Sequence, residues 1–228
     1  MSTTTAVIPQ QYTYRQLLEL KPETAEKIKE WWSIVCWDGD YWSESVIDLA
    51  KEDGYALGFV IDDIYWAGFW SQGDGACWTG QVYISQWLKT HCKDSIGLSA
   101  WVELIREGVI DKHISVGHVG RYYHENSMAF GYIEDNTDVF SREGDVMTTE
   151  SIFKGMSIAN VFDLIEASDF EYKTTEGIRE AIIESGQDFA QDIYRKLEKE
   201  YDYVMSEANL IEVCECNEWL FNAEGERV

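Results

Sequence analysis

The segment Ile64–Gly80, IYWAGFWSQGDGACWTG, sets three tryptophans and four glycines around the triplet Gly73-Asp74-Gly75. Its reading decides the fold, because the hydrophobic period is two on both sides of that triplet. Upstream, Tyr55, Leu57, Phe59 and Ile61 alternate, Asp62-Asp63 interrupts, and Ile64, Trp66 and Gly68 continue. That pattern predicts a two-stranded hairpin. Gly73-Asp74-Gly75 then falls where the second strand ends, and Ala76–Trp78 opens a third. Glycine reaches positive backbone φ without a steric cost, so the triplet reads as a tight corner between strands. Ser71 and Gln72 are placed to tie the corner through side-chain-to-backbone hydrogen bonds.

Outward from this centre the period changes. Leu17, Leu18, Ala25, Ile28, Trp31 and Trp32 recur at three- and four-residue spacing, and Pro22 divides them into two short helices. Lys21-Pro22-Glu23-Thr24 reads as a helix start. Val46, Leu49 and Ala50 share a helical face that Gly54 is expected to close. Downstream, Gly120–Tyr123 and Met128–Ile133 alternate about His124-Glu125-Asn126-Ser127, which predicts a second hairpin within residues 115–135. Phe189, Ile193, Leu197, Tyr201 and Met205 recur every four residues and predict a long amphipathic helix. Trp219–Gly225 reads as a short edge strand and a turn. The expected fold class is α+β, an antiparallel sheet of hairpins packed with N-terminal and C-terminal helices. A single domain is expected over residues 1–228. Residues 1–54 are mainly helical in this reading, 55–135 mainly antiparallel strands, and 150–228 mainly helical with a short terminal strand.

Charge bounds the function. The 228 residues carry 42 acids and 18 bases, a net charge of -24. Residues 1–114 hold 17 acids and nine bases, net -8, while residues 115–228 hold 25 and nine, net -16. Nucleic-acid phosphates are bound by Lys and Arg that release counterions, so direct nucleic-acid contact is not expected. An anionic membrane surface is disfavoured for the same reason, and no apolar run nears the roughly 18 residues of a membrane span. The start, MSTTTAVIPQQ, lacks the basic segment and apolar core of a secretory leader. Five unevenly spaced cysteines fit a reduced, cytoplasmic protein.

Candidate chemistry is thin. A phosphate cradle needs a base and a following helix, whereas Ser71–Gly75 offers Asp74 and a strand. Cys214-x-Cys216 has no second pair to complete a zinc site, and His91-Cys92 are adjacent. Cys77 and Ser71 are conceivable nucleophiles with His124 as base, but Ser71 lacks the Gly-x-Ser-x-Gly elbow and Cys77 lies on an apolar strand. Asp74, His118, His124 and Glu125 could meet at the hairpin ends around a divalent ion, which defines an alternative function, a metal-dependent hydrolase or nuclease. Otherwise no metal, cofactor or catalytic set is expected. Of the ten tryptophans, Trp70 and Trp78 flank the corner and are candidate anchors for a protein partner.

The block GFWSQGDGACWTG resembles one from a bacteriophage family commonly named "antitoxin of toxin–antitoxin system", with the pattern Gly-Phe-x-Ser-Gln-Gly-Asp-Gly-Ala-(Ser/Cys)-aromatic-x-Gly. Gly120–Met128, GRYYHENSM, is similar to that family's middle motif. Asp192–Ser206, DIYRKLEKEYDYVMS, with Asn217–Phe221, is similar to its C-terminal region, so the resemblance covers about residues 64–228. It implies a phage protein acting by binding in the cytoplasm of a bacterial host. The implied partner is a bacterial toxin or defence effector of basic charge, engaged by protein–protein contact, with carboxylates able to stand in for phosphates as in a DNA mimic. Homo-oligomer formation stays open. The candidate binding residues are Trp70, Ser71, Gln72, Asp74, Trp78, Arg121, His124 and Glu125.

Overall fold

A computed structural model describes residues 11–39, 41–134, 146–148 and 150–228. The N-terminal stretch scanned for a leader, residues 1–10, and Asp135 lie outside them. Among the described residues the helices are α1 (Tyr14–Leu20), α2 (Pro22–Asp38), α3 (Tyr41–Leu57), α4 (Ile84–His91), α5 (Ile96–Glu107), α6 (Ile158–Ala167), α7 (Thr175–Val204) and α8 (Glu207–Cys216). The strands β1 (Phe59–Ala67), β2 (Gly75–Tyr83), β3 (His113–His118) and β4 (Met128–Phe130) form one antiparallel sheet in the order β1-β2-β3-β4. The class is α+β, as the alternating and helical patterns predict.

Tertiary contacts gather into two compact units, residues 47–195 and residues 1–46 with 196–228; the divisions fall within α3 and α7. The first unit holds the sheet. β2 is its most buried strand, with Ala76, Cys77, Trp78 and Val82 at most 1% exposed. Trp78 stacks at a tilt on Phe59 of β1, 5.2 Å between ring centroids, and its indole N–H donates to the Gly186 carbonyl of α7 at 3.1 Å. Phe59 also meets Phe189 of α7, 5.4 Å away. α7 is further tied to β4 by Arg179, whose Nε donates to Gly131 O at 2.8 Å and Nη2 to Phe130 O at 3.2 Å. The four-residue period read at Phe189 and Ile193 is the buried face of this helix.

The second unit is built on α1, α2 and α8. Thr13 and Gln16 form a reciprocal capping box at α1, Pro22 occupies the first turn of α2, and Ser206 caps α8 by accepting from Asn209 N. Tyr12, Tyr14, Leu17, Ile28, Leu210, Cys214 and Phe221 make its core. The short terminal strand is a bridge, in which Tyr12 and Phe221 exchange two backbone hydrogen bonds of 2.9 Å.

Four local readings are corrected. Asp62-Asp63 is not a hairpin turn: β1 runs through it, with a register irregularity between Ile61 and Asp63, so the hairpin turn is the stretch 68–74. Tyr55 and Leu57 belong to α3, which continues past Gly54; a Cβ there would meet Ile61 and Phe189, so this glycine serves close packing and does not end the helix. Gly120–Tyr123 is loop; the strand that pairs with β4 is His113–His118, with Val116 opposite Phe130. Within the span 55–135 read as mainly strands, residues 84–91 and 96–107 are α4 and α5, the latter capped by Ser95 and stopped at Gly108.

Truncating Trp78, buried and bonded to Gly186, removes a large packed side chain where sheet meets helix. Trp78→Ala is expected to lower stability by about 3–5 kcal/mol, read as a shift of the denaturant midpoint.

Candidate functional site

The corner is built by Asp74. Its Oδ2 accepts the backbone N–H groups of Trp70 at 2.8 Å and Ser71 at 2.6 Å, while its own N–H donates to Ser71 O at 3.1 Å. The side chain that ties the turn is therefore Asp74, whereas Ser71 and Gln72 face solvent. Gly73 has φ +99°, a conformation that a side chain would strain.

The loop between β3 and β4 closes on this turn. A Cβ at Gly73 would lie 3.2 Å from the Tyr122 ring, and one at Gly75 would lie 2.9 Å from the Tyr123 carbonyl, so both glycines permit a close approach. Tyr65 of β1 stacks on Tyr123 at 5.4 Å, and His118 Nε2 lies 2.9 Å from the Tyr122 carbonyl. On the other side Trp66 stacks on Phe69 at 5.5 Å, and Phe69 meets Tyr194 of α7 at 5.5 Å. Trp70 projects with 71% of its surface exposed and Tyr122 with 52%, the latter under the Arg121 guanidinium at 5.0 Å. The result is an aromatic face on a corner fixed by hydrogen bonds and ring stacking.

Of the sequence-predicted residues, Trp70, Ser71, Gln72, Asp74, Arg121, His124 and Glu125 all lie on the turn or the loop that closes on it. Trp78 does not belong with them. It is fully buried between β1 and α7, so its reading as an exposed anchor is corrected. Trp70 and Trp78 are both apolar neighbours of the corner, but only Trp78 lies on the face of β2 that also buries Ala76 and Val82.

The residues of the metal alternative have other partners. The carboxylate of Asp74 serves its own turn. Glu125 lies with Oε2 2.9 Å from His124 Nδ1 and accepts from Gln191 Nε2 at 3.1 Å. Among the described residues no three His, Cys, Asp or Glu side chains form a group that could hold a metal ion. Cys214 is buried and Cys216 exposed, because two residues along a helix point to opposite sides. Burial pushes the Cys77 thiol up to about 11, with a backbone hydrogen bond at His124 acting weakly the other way, so it stays protonated near neutrality. A contact absent from the sequence reading joins Ser185 Oγ to His91 Nε2 at 3.3 Å. Trp87 Nε1 donates to the same hydroxyl at 3.2 Å, and His91 stacks on Trp87, a tie between α4 and α7.

Fold and corner together define an α+β protein that presents aromatic side chains on a fixed hairpin end. The chain belongs to the family described as a domain of unknown function, DUF8835, which matches residues 42–207. No curated protein and no solved structure matches the chain. Among the described residues no helix is long and apolar enough to cross a membrane.

Removing the Asp74 carboxylate frees two amides at once. Asp74→Ala is expected to destabilise by about 1–2 kcal/mol, discounted for partial exposure, and Gly73→Val by about 1–3 kcal/mol of backbone strain. Thermal unfolding measures both, and an unchanged midpoint would contradict the hydrogen-bonded corner.

Proposed function

We propose that the chain is a phage-encoded, antitoxin-like binding protein. It acts in the host-cell cytoplasm and neutralises a basic bacterial toxin or defence effector by direct protein–protein contact at the hairpin end. The observation that carries this reading is the exposed aromatic pair Trp70 and Tyr122 on a corner held by Asp74. Aromatic residues dominate interface hot spots, and those fixed before binding lose little conformational freedom on contact. The resemblance of GFWSQGDGACWTG to phage antitoxins supports it further. The surrounding polar groups, Ser71, Gln72, Arg121, His124 and Glu125, would form the rim.

A specific feature of α7 favours a basic partner. Glu180, Glu184 and Asp188 follow at four-residue spacing, a rise of about 6 Å per step, and are exposed on the side away from the buried Ile182, Phe189 and Ile193. The cation nearest this row in sequence, Arg179, is turned toward β4 and pairs with Glu176. A single-sign row of this kind speeds encounter with a positively charged surface and suits carboxylates that stand in for phosphates.

Tagged protein isolated from infected cells identifies the partner by mass spectrometry, and the purified pair then tests the site. Trp70→Ala with Tyr122→Ala is expected to weaken binding by about 30-fold or more. Equal affinity of wild type and variant would remove the hairpin end from the interface. A distinct test concerns rate. Glu180→Gln, Glu184→Gln and Asp188→Asn together should slow association about tenfold at low salt and leave dissociation nearly unchanged. Stopped-flow mixing across a salt series reads this, and a salt-independent rate would refute steering.

A further inference from the structure

In a chain with 42 acids and 18 bases, three cations meet at one small cleft of the unit 47–195. They are Lys89 of α4, Arg106 of α5 and Lys112, the residue before β3, and they border a space of about 220 Å³. Local structure brings them together. Ser85 and Lys89 are four residues apart on α4 and share a face, as do Val102 and Arg106 on α5. The Ile84 N–H donates to the Lys112 carbonyl at 3.1 Å, which holds Lys112 beside the first turn of α4. Val102 and Ile105 are buried and form the floor, and Tyr83 forms a wall, its ring 5.7 Å from that of His113.

Counter-charge is scarce at this cleft. Among the described residues the side chains of Lys89 and Lys112 make no hydrogen bond or ion pair. Arg106 has one partner, Glu103, whose two carboxylate oxygens lie 3.0 and 3.2 Å from Nη1; Nε and Nη2 keep their donors. The carboxylates nearest in sequence are engaged elsewhere. Glu107 accepts from Thr148 N at 3.1 Å and Thr148 Oγ1 at 2.8 Å, and Asp111 accepts from Glu134 N at 2.8 Å. Among the described residues no carboxylate lines the cleft. Three cations less Glu103 leave two uncompensated positive charges. Charges beyond about 8 Å are screened at physiological salt, so the sign here is set by the lining and not by the net charge of -24.

Two positive charges, an arginine fork and the hydroxyls of Ser85 and Tyr83 suit a tetrahedral dianion, whose oxygens accept from donors on several sides. A carboxylate brings one charge and two oxygens and would leave donors unused. The volume lies below the roughly 300–1,000 Å³ of drug-sized pockets, which suits a phosphoryl group with a short organic tail. We propose that this cleft binds a phosphoryl dianion, as free phosphate or as a small monoester. It shares no residue with the hairpin end, so the two sites stand or fall separately.

Titration of the full chain at pH 8 with inorganic phosphate and phenyl phosphate, followed in amide proton–nitrogen NMR spectra, tests it. Both compounds should shift the amides of Ser85, Lys89, Arg106 and Lys112 saturably, and the tighter of the two identifies the occupant as free anion or ester. Sodium chloride and sodium acetate at equal ionic strength should give no saturable shift there. Lys89→Gln with Lys112→Gln should weaken phosphate binding about tenfold or more, whereas Lys89→Arg with Lys112→Arg should keep it within about threefold. Both lysines are exposed, so the melting temperature should not change. A phosphate response no larger than that to chloride or acetate, saturable shifts centred on other residues, or equal affinity in wild type and the glutamine pair would each overturn the proposal. Should the glutamine pair melt at lower temperature, the single substitutions and the shift map decide.

Discussion

The unit of residues 47–195 depends on one close approach, that of α7 to the sheet at Gly186. A Cβ there would come within 2.8 Å of the Phe130 ring and 3.4 Å of the Trp78 ring. Its absence lets the indole of Trp78 reach the Gly186 carbonyl, which satisfies a polar N–H in the least hydrated part of the sheet. Phe59, Trp78, Phe130 and Phe189 then interlock around that point. An indole at this position joins large apolar burial to one obligatory hydrogen bond, so it fixes the lateral position of the helix as well as its distance. The ends of β1 and β2, and the corner between them, inherit that placement.

Cations in this unit are used in a way that sharpens its acidity. Arg179 donates to the Phe130 and Gly131 carbonyls, Lys173 Nζ to the Ile165 and Ser168 carbonyls at 2.8 and 2.6 Å, and Lys51 Nζ to the Asp62 carbonyl at 2.7 Å. Each is satisfied by backbone at a helix end, a strand end or the β1 irregularity, positions where carbonyls lack a ladder partner. These three cations are held by structural carbonyls, whereas Glu180, Glu184 and Asp188 are exposed on α7, with Arg195 exposed further along the helix and donating to Gln191 Oε1 at 3.4 Å. Net charge and local field then have the same sign, which is the condition for steering a basic partner.

The parts legible in the sequence are those dictated by local chemistry. Pro22 as a helix start, the four-residue period through Phe189 and Ile193, and the glycine-bounded turn at Asp74 each follow from local pattern, although the helix that Pro22 opens runs 17 residues and is not short. What failed depended on partners. Asp62-Asp63 looks like a turn, yet a bulge lets β1 continue because β2 supplies a full-length ladder opposite it. Trp70 and Trp78 are alike in type and near the same corner, and only the covering of the Trp78 face of β2 by α7 separates an exposed anchor from a core residue. Asp74 as the capping group was hidden by its neighbours, since Ser71 and Gln72 are equally able to bond a turn. Helix α5 has its own local signals in Ser95, Gly108 and the three- and four-residue spacing of Leu98, Trp101, Val102 and Ile105.

The family match adds a constraint on where shared chemistry can reside. It spans residues 42–207 and so contains the whole sheet, the Asp74 corner, the loop that closes on it and the acidic face of α7. A property common to the family must be carried by features inside that span. The aromatic hairpin end qualifies because every contact that shapes it, from Tyr65 to Tyr194, is internal to the matched region. α1, α2 and all but the first residue of α8 fall outside the match, so what those elements form lies beyond the span in which a property common to the family can reside.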